Sequence, residues 1–123
     1  MRPSRMAGTE DGTQQRRRAG GAWLRRLREA RRLSQRQLAE RVGIEYYTFV
    51  SQIEAGRGRI PPERYAVWAE ALGVDRREFV RAMLYFYEPT TFEALFGPEG
   101  FDAEAPMSSR PESPPGVVVP FGA

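Results

Sequence analysis

The stretch from Leu33 to Gly56, LSQRQLAERVGIEYYTFVSQIEAG, leaves this chain few folds to choose from. Ser34, with Gln37 three residues on, is a capping box and marks a helix start. Leu38, Ala39 and Val42 give the following helix one apolar face, and Gly43 ends it where a left-handed residue is needed. A second rhythm, Tyr46, Phe49, Val50 and Ile53, has spacings of 3 and 4 and reads as the core face of another short helix, closed by Gly56. Helices this short are not stable alone in water, so the stretch demands a helical scaffold and predicts an all-α fold.

The flanking sequence supplies that scaffold. Trp23, Leu24, Leu27 and Ala30 form the buried face of a helix predicted from about Ala22 to Arg32, with Arg25, Arg26, Arg31 and Arg32 covering the rest. Pro62 suits the first turn of a fourth helix, whose core stripe is Tyr65, Trp68, Ala69 and Leu72 and whose stop is Gly73. Asp75 with Glu78 opens a fifth helix with an apolar face of Phe79, Val80, Met83, Leu84 and Tyr87. The expected architecture is therefore five helices over residues 21–97 between disordered ends. Residues 1–20 have no apolar period, and residues 98–123 are rich in proline, glycine, serine and acid. The apolar end of that tail, PPGVVVPFGA, reads as a short docking segment.

Composition narrows the chemistry. Cysteine and histidine are absent, and all 19 basic side chains are arginine. There is no thiolate for a disulfide or zinc site, no imidazole base and no lysine for a Schiff base. No enzyme activity, metal or cofactor is expected. No apolar run approaches the ~20 residues of a membrane span. Charge is unevenly placed: residues 1–60 hold 14 arginines against 6 acids, a net +8, and residues 61–123 hold 5 against 10, a net −5. A basic half of this kind is attracted to nucleic-acid phosphate.

A helix–turn–helix with small Ala39 in its first helix and glycine in its turn is a device for laying a helix in the major groove of DNA, although an αα-hairpin from a helical bundle fits the pattern too. The resemblance goes further. Leu24, Leu27, Arg28, Leu33, Ser34, Gln35, Leu38, Ala39, Val42, Gly43, Val50, Ile53, Glu54, Gly56, Leu72, Gly73 and Val74 make residues 22–87 resemble the Xre-type, phage-repressor-like helix-turn-helix regulators. That resemblance implies a cytoplasmic, nucleoid-associated bacterial regulator that binds double-stranded DNA, most simply a homodimeric repressor. It also implies that Gln35 meets the DNA backbone from a helix start, and that Arg28 pairs with Glu54 as a structural tie.

With Tyr46, Phe49, Val50 and Ile53 assigned to the core, the outward face of the recognition helix (about Tyr46–Ala55) holds Thr48, Ser51, Gln52 and Ala55, with Tyr47 at its edge. Gln52 can pair twice with an adenine edge, whereas Thr48 and Ser51 suit bases or phosphates. Arg36 and the loop Arg57-Gly58-Arg59 are expected on phosphate. Arg16, Arg17 and Arg18 read either as a DNA-contacting arm or as a solvated tail. Two features depart from the family: Ile44 to Ala55 is one residue longer than its usual spacing, and the reading face carries no arginine, lysine or asparagine. Beyond the fifth helix, Tyr85, Phe86, Phe92, Leu95 and Phe96 are more aromatic than a small core needs. They read as a dimer interface or a protein-partner surface, with a flap over the core as the alternative. The weak reading face and this aromatic end keep a second function open, a protein-binding module (antitoxin or co-regulator) with weak DNA binding.

Overall fold

The computed structural model describes residues 3–98 and 100–107, with side chains from residue 12 onward. Its elements are α1 (Pro3–Ala30), α2 (Gln35–Val42), α3 (Thr48–Glu54), a 3-10 turn (Pro62–Arg64), α4 (Tyr65–Leu72), α5 (Arg76–Tyr87) and α6 (Pro89–Phe96). The described residues contain no β-strand. The all-α expectation therefore holds, with a sixth helix beginning at Pro89 beyond the five.

The local signals act as their chemistry requires. The Gln37 amide donates to Ser34 Oγ at 3.0 Å, and the Ser34 amide donates back to Gln37 Oε1 at 2.8 Å, so two otherwise unpaired donors at the start of α2 are satisfied. Gly43 closes α2 at φ 76°, and the Arg64 guanidinium donates to the Val42 carbonyl, tying the end of α2 to the 3-10 turn. Asp75 caps α5 by accepting from the Glu78 amide at 3.0 Å.

The first helix is much longer than its apolar stripe. It starts at Pro3 rather than near Ala22, so the expected disordered arm is, over its described part, the first half of α1. Arginine, glutamine and alanine favour helix, but what fixes this segment is contact. Gln14 Nε2 donates to the Gly56 carbonyl at 3.1 Å. A Cβ on Gly21 would lie 2.4 Å from the Glu54 carbonyl oxygen, so only glycine lets α1 lie directly on the backbone at the end of α3. Contacts made through Gly and Gln carry no hydropathy signal, which is why periodicity missed them.

The core is built from Trp23, Leu24, Leu38, Val42, Val50, Ile60, Trp68, Leu72, Phe79 and Met83, all buried. Packing turns α5 by part of a turn relative to expectation. Phe79, Ala82, Met83, Phe86 and Tyr87 face inward, while Val80 and Leu84 are only half-buried. The supposed interface aromatics are thereby mostly consumed inside the chain. Phe86 is 3% and Phe92 4% exposed. The Trp23 and Phe86 ring centroids lie 5.7 Å apart, those of Tyr85 and Phe92 5.3 Å. Residues 100–107 also depart from the disordered-tail expectation: Phe101 packs 5.9 Å from Trp23 and 5.3 Å from Tyr85, and Ala103 and Met107 lie against the core. The flap alternative describes this region better, and of the five interface residues only Leu95 and Phe96 are exposed. The PPGVVVPFGA segment lies outside the described residues.

Candidate nucleic-acid interface

One carboxylate organises the reading unit. Glu54, at the end of α3, accepts from Arg28 Nε at 2.7 Å and Arg28 Nη2 at 3.0 Å, and its Oε1 also accepts from Gln35 Nε2 at 3.0 Å. Arg28 Nη1 donates to the Leu33 carbonyl at 2.8 Å. Three helices thus meet at one buried ion pair. The paired bond to Glu54 raises the Arg28 pKa above its ordinary value, against the pull of burial. A fork-to-fork pair fixes geometry as well as charge. It also holds Gln35 by its amide nitrogen, so this residue arrives at the α2 start already oriented.

Five residues, Gly43 to Tyr47, separate α2 from α3. The Ile44 amide donates back to the Ala39 carbonyl at 2.8 Å, which finishes the α2 stop. The extra residue is absorbed before α3, which begins at Thr48 and not at Tyr46. Tyr46 therefore falls outside the helical phase and is 60% exposed. Phe49 is 55% exposed. Sequence spacing assigns both to the core. The cause is that α3 packs chiefly against α1 and α2, and Val50 and Ile53 suffice to fill that contact. With residues ~100° apart around a helix, Phe49 lies on the uncovered flank beyond Ile53. The outward arc of α3 then runs through Ser51, Ala55, Thr48 and Gln52 to Phe49. Ser51 is half-buried, and the others are exposed.

The cations sort into two groups. Arg36, Arg41 and Arg57 are exposed and form no ion pair among the described residues. Arg36 lies over the Tyr47 ring, its guanidinium carbon 4.4 Å from the centroid, which links the start of α2 to the start of α3. Arg59, expected on phosphate, belongs to the other group. Its Nη1 donates to Glu88 at 2.7 Å and its Nη2 to the Tyr65 hydroxyl at 2.8 Å, and it lies over the Tyr87 ring. Burial pulls the Arg59 pKa down, but the bonds to Glu88 and Tyr65 outweigh it and leave it raised. Arg59 is thus a tie between the loop and α5. The loop's glycine-flanked sequence gave no hint of Glu88, 29 residues away. Arg16, Arg17 and Arg18 sit on α1 and not on a free arm: Arg18 lies against Gly56, and Tyr87, whose pKa burial raises, feels the Arg17 charge as a smaller opposing pull.

An outward helix on a capped partner, flanked by unpaired arginines, is the geometry of a major-groove reader. A family model described as a helix-turn-helix domain matches residues 21–82, just over half of the chain. The chain belongs to that family. It is an Xre-like helix-turn-helix domain with α2 and α3 as its two namesake helices. The matched span stops within α5, so α6 and the Phe101 segment are additions of this chain to the helix-turn-helix unit. No curated protein and no solved structure matches this helix-turn-helix chain. Among the described residues no helix is long and apolar enough to cross a membrane, and no acidic cluster is suited to a metal.

Proposed function

We propose that this helix-turn-helix protein is a sequence-specific transcriptional regulator, a homodimeric repressor that occludes a promoter. The observation that carries the reading is the outward arc of α3, which leaves Thr48 and Gln52 exposed beside unpaired Arg36 and Arg57. In this reading Gln52 addresses an adenine edge, and Thr48 and Ser51 address bases or phosphate. Gln35, Arg36, Tyr47 and Arg57 hold the phosphate backbone. Arg59 is left out because it is engaged by Glu88. One seven-residue reading helix covers too few base pairs for useful affinity, which is the reason to expect a dimer.

A second reading draws on α6. Leu95 is 64% exposed and Phe96 lies beside it under Arg81, whose guanidinium carbon is 5.0 Å from the Phe96 ring centre. That small apolar patch suits a protein partner, or the second copy. Fluorescence anisotropy of the full chain with its own upstream duplex and a scrambled duplex, at two salt concentrations, separates the readings. A regulator binds the native duplex preferentially with a steep salt slope. Equal, weak binding to both duplexes would reject it in favour of the protein-binding role.

A further inference from the structure

Phe49 has no place in the core and no polar tip to bond a phosphate, yet it stands on the reading helix more than half exposed. It adjoins Gln52, three residues on, at the edge of the outward arc. The rest of that arc carries Thr48, Ser51 and Ala55, so the helix has no guanine-reading cation. Arg36, a candidate on α2, lies over Tyr47 instead. In the major groove the one large apolar feature of the bases is the thymine 5-methyl group, which projects near the wall formed by its own strand. A side chain at the rim of a groove-bound helix meets that wall.

We propose that Phe49 is a specificity-determining residue that reads thymine, its ring covering a 5-methyl group while Gln52 takes the adenine edge of the same or the adjacent pair. The operator then presents A·T pairs under the centre of α3. This rests on the DNA-reading role proposed above and narrows it. The exposed arginines on both sides, Arg57 after the helix and Arg36 before it, supply the charge complementarity that brings a duplex, and not an apolar protein face, to this surface.

The test begins with duplexes enriched from a random pool by the full-length wild-type chain. Each thymine in the enriched site is replaced in turn by deoxyuridine, which deletes the methyl group and nothing else. At one or two positions the wild type should lose about fourfold in affinity, the worth of one methyl group removed from water. Phe49→Ala should bind the unmodified site with a similar loss. It should be indifferent to deoxyuridine at those positions and still reject a changed base pair at the Gln52 contact. Phe49→Leu, which keeps an apolar surface, should recover part of the methyl response. Tolerance of deoxyuridine at every position by a wild type that binds its site specifically would overturn the proposal and leave the regulator reading standing. So would a Phe49→Ala chain with unchanged preference but altered mass by light scattering, which would make Phe49 a contact between copies. A wild type that enriches no sequence would overturn both readings at once, before any variant is made.

Discussion

The same residue types have opposite fates at the two ends of this molecule. Phe86, Phe92 and Phe101 close over Trp23 and Tyr85 in a network of ring contacts on the α1–α5–α6 side. Tyr46, Tyr47 and Phe49, on the α3 side, stand out into solvent. Spacing in the sequence suggests the reverse, a buried Tyr46 and Phe49 and an exposed Phe86 and Phe92. Whether an aromatic is buried depends on which element covers its flank, and that is a tertiary fact. A seven-residue helix held chiefly by two neighbours has a narrow inward stripe. The twelve-residue α5, packed by α1, α4 and α6, has a wide one.

Truncating one aromatic from each end gives the largest expected contrast. Phe86→Ala should cost about 3–5 kcal/mol of unfolding free energy by urea denaturation, and Phe49→Ala should stay within about 0.5 kcal/mol. Comparable losses at the two sites would break the distinction. Arg28→Ala comes next, at about 3 kcal/mol, because it leaves the Glu54 carboxylate buried with only Gln35 as partner. A replacement of both partners by apolar residues of similar volume should recover most of that loss, which separates a positional tie from a net stabiliser.

Tyr87 sharpens the picture of the α5 side. Its hydroxyl is buried with no hydrogen-bond partner among the described residues, and burial raises its pKa from 10.0 to about 12 despite the nearby Arg59 and Arg17 charges. The folded state favours the neutral phenol. Its contribution is fully present below the unfolded pKa and is lost as pH rises through the folded one. Stability should therefore fall by up to about 2–3 kcal/mol between roughly pH 10 and 12. Tyr87→Phe should flatten that part of the urea-midpoint profile while leaving stability at neutral pH within about 1 kcal/mol. An unchanged alkaline slope in the variant would contradict the assignment. The smallest effect is expected at α6: Leu95→Asp should leave stability within about 0.5 kcal/mol. If α6 holds the second copy, the same change should convert a dimer to a monomer by light scattering.

Much of this fold is legible in the sequence. The Ser34–Gln37 box, the Gly43 stop, the Asp75 cap and the buried Trp68 follow from residue type and spacing alone. The lengthened α1 and the Arg59–Glu88 bond do not, because small-residue contacts and long-range ion pairs leave no periodic trace. For the interface, exposed Thr48, Gln52 and Arg57 could be placed from the pattern, and the two exposed aromatics could not. The longer turn is readable from the spacing, but the helix start at Thr48 is not, because nothing local says whether Tyr46 and Tyr47 join the helix or the turn.

In the proposed function the α2–α3 side, and not the α5–α6 side, faces DNA. Backbone amide NMR shifts of the full chain, recorded as an enriched duplex is titrated in, test it directly. The predicted result is perturbation at Gln35, Arg36, Thr48, Phe49, Gln52 and Arg57, with Leu95 and Phe96 changing only through dimerisation and therefore independently of duplex sequence. Sequence-dependent shifts centred on α6, with Thr48 to Gln52 unmoved, would contradict it.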